Sequence, residues 1–396
     1  MRTLSYRTLA ALCAAALAAA APAPSAAAPG RLAPATAPVL HAGDPHAVPG
    51  SFIVALKSDA AGRRTAAAAL AGRYRAAVTA TYTGGLTGFA ARMPLAAARQ
   101  VAADPAVAYV EQDRWVRAAG LQRATAWGLD RVDQRRLPLS RTYRYPSGRT
   151  AVTAYVLDTG VRVTHSELRG RARYGYDFVS RRTAAADCQG HGTHVAGTIG
   201  GTRYGVAKSV RLVAVRVLNC AGWGRYSDIV AGVNWVTAHA RRPAVANLSL
   251  GGGASRALDD AVRRSIARGV TYVVAAGNEG RNACAYSPAR VPEAVTVGAT
   301  DARDIRAGFS NYGSCLDIWA PGVSVLSAYK SGDTALAKGS GTSMAAPHVA
   351  GAVALLLARW PTMRPAQVAA ALATRSTKGR VSRAGTSTPN RLLFVS

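Results

Sequence analysis

The segment Ala151-Val152-Thr153-Ala154-Tyr155-Val156-Leu157-Asp158-Thr159-Gly160 places a nearly unbroken apolar run directly before an Asp and a Gly turn. A strand with one face in water alternates apolar and polar residues, so a continuous run over 151–157 predicts a strand buried on both faces. Similar runs recur at 210–218, 244–250, 270–276 and 293–299. Helical patterns fall between and after them at 191–200, 227–240, 255–268 and 343–358, the third ended by Gly269. Strand alternating with helix predicts an α/β fold: a doubly wound, mostly parallel sheet flanked by helices, over residues 120–396. In such a sheet chemistry collects at the carboxyl ends of the strands, which is where Asp158 falls.

The part before residue 120 reads differently. A strand at 51–56, a helix at 59–73, a turn at Gly84-Gly85, a helix at 94–103 and a strand at Val107–Glu111 predict a small α+β domain over 50–119. Residues 29–49 are rich in Ala and Pro and read as a linker. Residues 1–28 have the anatomy of a secretory signal peptide: Arg2 and Arg7, an apolar stretch from Leu9 to Ala20, then small residues at 19–21 and 26–28. Leu12 before Cys13 does not suit lipid attachment. Pro22, Pro24 and Pro29 break that stretch, and no later run reaches the roughly 20 residues that span a bilayer. Once Cys13 leaves with the signal, Cys188, Cys220, Cys284 and Cys315 remain. An even count in an exported chain reads as two disulfides, with three pairings open.

The 396 residues carry a formal net charge of +29, which first suggests a polyanion binder. Hydrophobic residues make up 49% and charged ones 17%, which excludes general disorder. The basic residues are scattered singly or in pairs such as Arg135-Arg136, Arg241-Arg242 and Arg263-Arg264, without the aromatic interleaving of a nucleic-acid surface. No nucleic-acid partner is therefore expected.

Three motifs could carry chemistry. Asp158-Thr159-Gly160 could be a simple turn, or half of an aspartic-protease dyad, but the chain has no second such turn to pair with it. Gly190-His191-Gly192-Thr193-His194-Val195-Ala196-Gly197 opens a helix, and its His-x-x-His lacks the Glu of the zinc-binding His-Glu-x-x-His motif. One of its histidines could be catalytic and the other packed. Gly339-Ser340-Gly341-Thr342-Ser343-Met344-Ala345-Ala346-Pro347-His348-Val349-Ala350-Gly351 puts Ser343 at the start of an apolar helix, whose N–H groups and dipole face anything formed on its hydroxyl. No Asp or Glu follows Ser343, which excludes the Ser, acid, His order of α/β-hydrolases. A Gly-Asp-Ser-Gly nucleophile segment is also lacking. The remaining order is Asp158, His191, Ser343.

With all three motifs in that order, residues 120–396 resemble the subtilisin-like serine proteases, most of all the proteinase K and aqualysin branch. The resemblance implies that Ser343 is the nucleophile, His191 the general base and Asp158 the residue that orients it. It implies that Asn278, in Ala275-Ala276-Gly277-Asn278, donates to the oxyanion. Protein or peptide substrates are expected to join as an added strand between Ser249-Leu250-Gly251 and the segment holding Gly222, Gly224 and Tyr226. Ala275, Ala276 and Gly277 would line a small, apolar, uncharged primary pocket, favouring apolar and aromatic side chains. The disulfides implied are Cys188–Cys220 and Cys284–Cys315. Val195 stands where some relatives carry a free Cys, so no reactive thiol is expected.

Calcium is implied at the carbonyls of Pro292 and Ala294 with the Asp317 carboxylate. A second family site would use Asp130, Asp133 and Gln134, but its later ligands are replaced here by Ser140 and Thr142. Residues 50–119 resemble the inhibitory propeptide of these zymogens, an intramolecular inhibitor and folding template cleaved off near 117–121. The whole implies a secreted, extracellular monomer, and the resemblance ends at Phe394-Val395-Ser396 without a C-terminal accessory domain.

Overall fold

The computed structural model describes residues 35–44, 47–57, 63–83, 87–114, 119–123, 126–146 and 150–395. The expected signal peptide, with Cys13, lies outside the described residues, as do parts of the linker and of the expected cleavage region. The chain divides into two compact units between Trp115 and Val116.

The first unit holds strands β1 (Ala47–Leu56), β2 (Ala77–Thr83), β3 (Thr87–Arg92) and β4 (Val107–Arg114), with helices α1 (Arg63–Arg73) and α2 (Leu95–Ala102). The strands form one antiparallel sheet in the order β2-β3-β1-β4. Phe52, Val54, Phe89, Val101 and Val110 fill its core. Strand β2 has no counterpart in the sequence reading, because as an exposed edge strand it carries no buried face to impose an alternation. The expected linker differs too. In its described part, Val39 is buried and Leu40 exchanges backbone hydrogen bonds with Val110 and Gln112, so the extended chain lies along β4.

The second unit opens with β5 (Ala119–Arg123), α3 (Trp127–Val132) and β6 (Thr142–Pro146), the two strands pairing antiparallel. There follow β7 (Thr153–Asp158), β8 (Ala172–Asp177), α4 (His191–Gly200), β9 (Arg211–Arg216), α5 (Tyr226–His239) and β10 (Ala244–Leu248). Next come β11 (Gly252–Gly253), α6 (Arg256–Ala267), β12 (Thr271–Ala275), β13 (Tyr286–Ser287), β14 (Val295–Thr300) and β15 (Ile318–Pro321). The chain ends with β16 (Val325–Ala328), β17 (Leu336–Gly339), α7 (Thr342–Arg359), α8 (Pro365–Arg375), β18 (Thr377–Lys378) and β19 (Arg391–Leu392).

Nine of these strands form one sheet in the order β18-β19-β15-β14-β12-β10-β7-β9-β8, parallel throughout except for β18. The unbroken apolar runs are explained by two cores. Ala154 and Val156 of β7 pack with Val195 and Ile199 of α4 and Ala345 and Val349 of α7 on one face. Tyr155 and Leu157 pack with Val233 of α5 and Val262 of α6 on the other. Strand β8, half exposed at the sheet edge, and the four-residue β15 lack such runs and are not evident from sequence. From β7 the chain winds first towards β9 and β8, then reverses to β10 and beyond. A crevice opens at such a reversal, at the carboxyl end of β7.

Candidate active site

Asp158 closes β7 and is fully buried. Its Oδ1 accepts the Thr159 N–H at 2.7 Å and pairs with His191 Nδ1 at 2.8 Å. His191 is the first residue of α4, and the helix reaches the strand end only because residue 192 is Gly. A Cβ there would stand 2.0 Å from the Gly160 carbonyl oxygen. Because a carboxylate faces Nδ1, that nitrogen carries the proton and Nε2 presents a lone pair. Burial disfavours the charged imidazolium, but the charge and hydrogen bond of Asp158, with help from Asp187, outweigh it and raise the His191 pKa.

Ser343 is the second residue of α7. Pro347 lies in the first turns of this helix and has no N–H to give the carbonyl of residue 343. Ser249 Oγ fills that gap, donating to the Ser343 carbonyl at 2.8 Å, and is itself held by Asn247 Nδ2 at 2.9 Å. In return Ser343 Oγ donates to the Ser249 carbonyl at 3.1 Å. The hydroxyl is therefore turned towards Ser249, and its hydrogen bond is to that carbonyl instead of to His191. Ser343 and His191 nevertheless line one cleft of about 430 Å³.

Asn278 stands in the loop after β12, beside the start of α7. Its Oδ1 accepts from the Thr342 N–H at 2.8 Å and from the Thr342 hydroxyl at 3.0 Å, while Thr342 Oγ1 accepts the Gly277 N–H at 3.2 Å. Two donors on Oδ1 settle the amide orientation and leave Nδ2–H as the outward group. Thr342, which grips Asn278, is not singled out by the sequence. The signal available was its position beside the serine, which shows a reason only once Asn278 is brought next to it.

The remaining expected site residues gather on two adjoining hollows. Gly222, Gly224, Tyr226, Ser249, Leu250 and Gly251 line the larger cleft. The Tyr226 hydroxyl ties its walls together, donating to the Gly253 carbonyl at 2.7 Å. Ala275, Ala276 and Gly277 line a second hollow of about 130 Å³ that also reaches Leu250, Asn278 and Ser343. One expectation is corrected here. This hollow is not free of charge: Glu279, whose carboxylate accepts from Asn311 Nδ2 at 2.7 Å, is part of its lining, carried in by the turn after Asn278.

Two further histidines, His194 and His348, are packed. His194 Nε2 donates to the Val325 and Ala337 carbonyls at 2.9 and 3.2 Å, joining α4 to the β16–β17 hairpin, and burial pushes its pKa down to about 4. Burial does the same to His348 within α7. Disulfides join Cys188 to Cys220 and Cys284 to Cys315.

Among the described residues no cluster of three or more His, Cys, Asp or Glu side chains could hold a metal ion. Pro292, Ala294 and Asp317 offer one carboxylate and two carbonyls, a hard oxygen set that suits calcium. Asp317 lies beside β14, where its Oδ2 accepts from Thr296 N–H, and burial lifts its pKa to about 6 against the lowering by that hydrogen bond and by the Arg391 charge. In the Asp130–Thr142 loop most carboxylate oxygens are taken by donors of the chain, while Asp133 Oδ1 is buried with no partner. Asp130 accepts from Ser140 N–H, Ser140 Oγ–H and Arg141 N–H, Asp133 accepts from Arg144 N–H, and Ser140 and Thr142 hydroxyls bond to each other at 2.7 Å.

The model of the subtilase family matches residues 149–392, and that of peptidase inhibitor I9 matches residues 51–119. The chain is 49% identical over 379 residues to an extracellular serine proteinase of Thermus sp. (strain Rt41A), covering 91% of this chain and 92% of that one. It is 48% identical over 331 residues to alkaline serine exoprotease A of Vibrio alginolyticus, covering 82% of this chain but 61% of that longer relative. The crystal structure of a cold adapted subtilisin-like serine proteinase matches with a TM-score of 0.67 and 51% identity, over 69% of this chain and 99% of that one. With that coverage, identity and structural match, the chain belongs to the subtilase family of serine endopeptidases and carries an I9-type inhibitor segment ahead of its peptidase domain.

Proposed function

We propose that the protein is a secreted endopeptidase, made as a zymogen, that cleaves proteins through Asp158, His191 and Ser343. The observation that carries this reading is the 2.8 Å Asp158–His191 pair facing the same cleft as a serine at a helix N-terminus. On substrate binding Ser343 Oγ turns from the Ser249 carbonyl to His191 Nε2. It then attacks the scissile carbonyl carbon as its proton passes to Nε2, and the carbonyl electron pair moves onto oxygen. Asn278 Nδ2–H and the Ser343 N–H hold that oxyanion. Collapse expels the amine, which takes the proton from His191 and leaves an acyl-enzyme. Water repeats the sequence to release the acid. Asp158 keeps Nδ1 protonated throughout.

Substrate lies extended between Ser249–Gly251 and Gly222–Tyr226. The hollow beside Ala275–Gly277 is close to the roughly 150 Å³ that accommodates a benzene ring, which supports a preference for apolar and aromatic side chains. Glu279 in its lining disfavours acidic ones. Residues 50–119 act as inhibitor and folding template, released by self-cleavage near 117–121. Calcium would be held by Pro292, Ala294 and Asp317 and would supply positive charge to a buried carboxylate, adding to stability. The test is Ser343→Ala. The variant is expected to accumulate as unprocessed precursor with no casein hydrolysis, while wild-type hydrolysis is abolished by phenylmethylsulfonyl fluoride. Normal processing and proteolysis by the variant would sink the reading.

A further inference from the structure

The first turn of α4 has an unusual problem. It begins on Gly190, which has no side chain to cap it, yet its first residue must be held against Asp158. The unpaired N–H groups of a helix start need acceptors. His191 N–H finds Gln189 Oε1 at 2.8 Å, and Gly192 N–H finds Thr159 Oγ1 at 3.0 Å. Thr193 N–H finds Asp187 Oδ2 at 2.9 Å. The same carboxylate takes four more donors. Oδ2 accepts the Thr193 hydroxyl at 2.6 Å, and Oδ1 accepts the N–H groups of Gln189 and Gly190 at 2.9 and 2.8 Å and the Thr159 hydroxyl at 2.9 Å.

The last of these contacts gives the cluster a functional meaning. Thr159 follows Asp158 at the end of β7, and its hydroxyl donates to Asp187 while accepting from Gly192. Strand end and helix start, the two elements that carry Asp158 and His191, are thus clamped by one carboxylate and one hydroxyl. We propose that Asp187 is the positioning residue for His191, setting the imidazole against Asp158 by clamping the start of α4 to Thr159. A second observation is electrostatic: the Asp187 charge also raises the His191 pKa. The titratable groups facing the imidazole are Asp158, Asp187 and, one position into the next turn, His194, which is neutral near pH 7. Removing Asp187 therefore makes His191 lose its proton at lower pH.

Asn is the informative replacement, because its amide is nearly the same size but offers one acceptor oxygen. Whichever way it turns, its NH2 faces N–H donors of the helix start. In Asp187→Asn, measured on a soluble peptide amide per titrated active site, kcat is expected to fall tenfold or more with KM within twofold. The acid limb of kcat/KM against pH should move to lower pH. Asp187→Glu should recover the position of the acid limb without full kcat. A carboxylate that only stabilises the fold would lower the unfolding midpoint and the titratable fraction, leaving kcat per site and the acid limb unchanged; that result overturns the proposal.

If Asp187→Asn yields no mature enzyme, Thr159→Val decides. It removes the clamp hydroxyl, and with it the Gly192 N–H acceptor, but leaves the Asp187 bonds to Gln189, Gly190 and Thr193, so an unchanged kcat overturns the proposal and a severalfold fall supports it. The proposal rests on the triad proposed above, and the two fail distinguishably. Proteolysis by Ser343→Ala sinks the triad, whereas a wild-type pH profile in Asp187→Asn sinks only the role of Asp187.

Discussion

Thr342→Val tests whether the oxyanion donor is placed by its neighbour. The substitution keeps the shape of a fully buried side chain and removes one hydroxyl. Asn278 Oδ1 then loses its 3.0 Å donor but keeps the Thr342 N–H at 2.8 Å, so the amide retains its orientation and gains freedom to swing. Deleting an oxyanion donor outright costs about 3–4 kcal/mol, and a single neutral hydrogen bond contributes about 1 kcal/mol. The loss should lie nearer the second figure, roughly a fivefold to tenfold fall in kcat with KM unchanged. The Gly277 N–H also loses its acceptor, which lowers stability by about 1–2 kcal/mol and is read separately from thermal unfolding. Kinetics on a peptide p-nitroanilide give the first quantity. A double-mutant cycle isolates the cause: in an Asn278→Ala background, Thr342→Val should change kcat no further. Equal kcat losses in both backgrounds, or a rise in KM alone, refute the anchoring argument.

Two further predictions concern stability. Arg131 is fully buried, with Nε and Nη2 on the Asp304 carboxylate at 2.6 and 2.9 Å and Nη1 on the Gln134 carbonyl at 2.6 Å. Arg131→Met strands a buried carboxylate and should cost about 3–5 kcal/mol in denaturant unfolding, with much of it recovered in Arg131→Met/Asp304→Leu; an unchanged midpoint in the single variant contradicts this. For Asp317, burial raises the folded pKa from the usual 3.8 to about 6, so without a cation the folded state binds the proton more tightly than the unfolded one. Its contribution is then present below about pH 4 and lost as pH rises through 6, a change of about 3 kcal/mol at most. Bound calcium removes that loss. The unfolding temperature in calcium minus that in EDTA should therefore grow between pH 4 and 6.5 and vanish in Asp317→Asn; a pH-independent difference contradicts the assigned site.

Much of this architecture was legible before any coordinates. The unbroken apolar runs at 151–157, 244–250 and 270–276 correspond to β7, β10 and β12, because a strand covered by helices on both faces must be apolar at every position. The helices at 191–200 and 343–358 were legible from their Gly and Ser starts and apolar bodies. Strands β2 and β8 were not, since edge strands meet no second layer and their residues carry no pattern. The segment before residue 50 reads as a linker because Ala and Pro form no periodicity, yet an extended chain needs none to pair its N–H and C=O groups with β4.

Sequence alone determined the fold class and singled out Asp158, His191 and Ser343, since chain order and Gly spacing are one-dimensional properties. Only the tertiary structure decided how those residues are held. It showed the Ser343 hydroxyl turned to the Ser249 carbonyl and Glu279 in the pocket that Ala275–Gly277 suggested was uncharged. It showed Thr342 gripping Asn278, and Asp187 gathering five donors. The physical reason is shared by the Ser343 and Thr342 contacts. A hydrogen bond reaches about 3 Å in space and is blind to separation along the chain, so a contact between residues 64 or 94 positions apart leaves no periodicity to read.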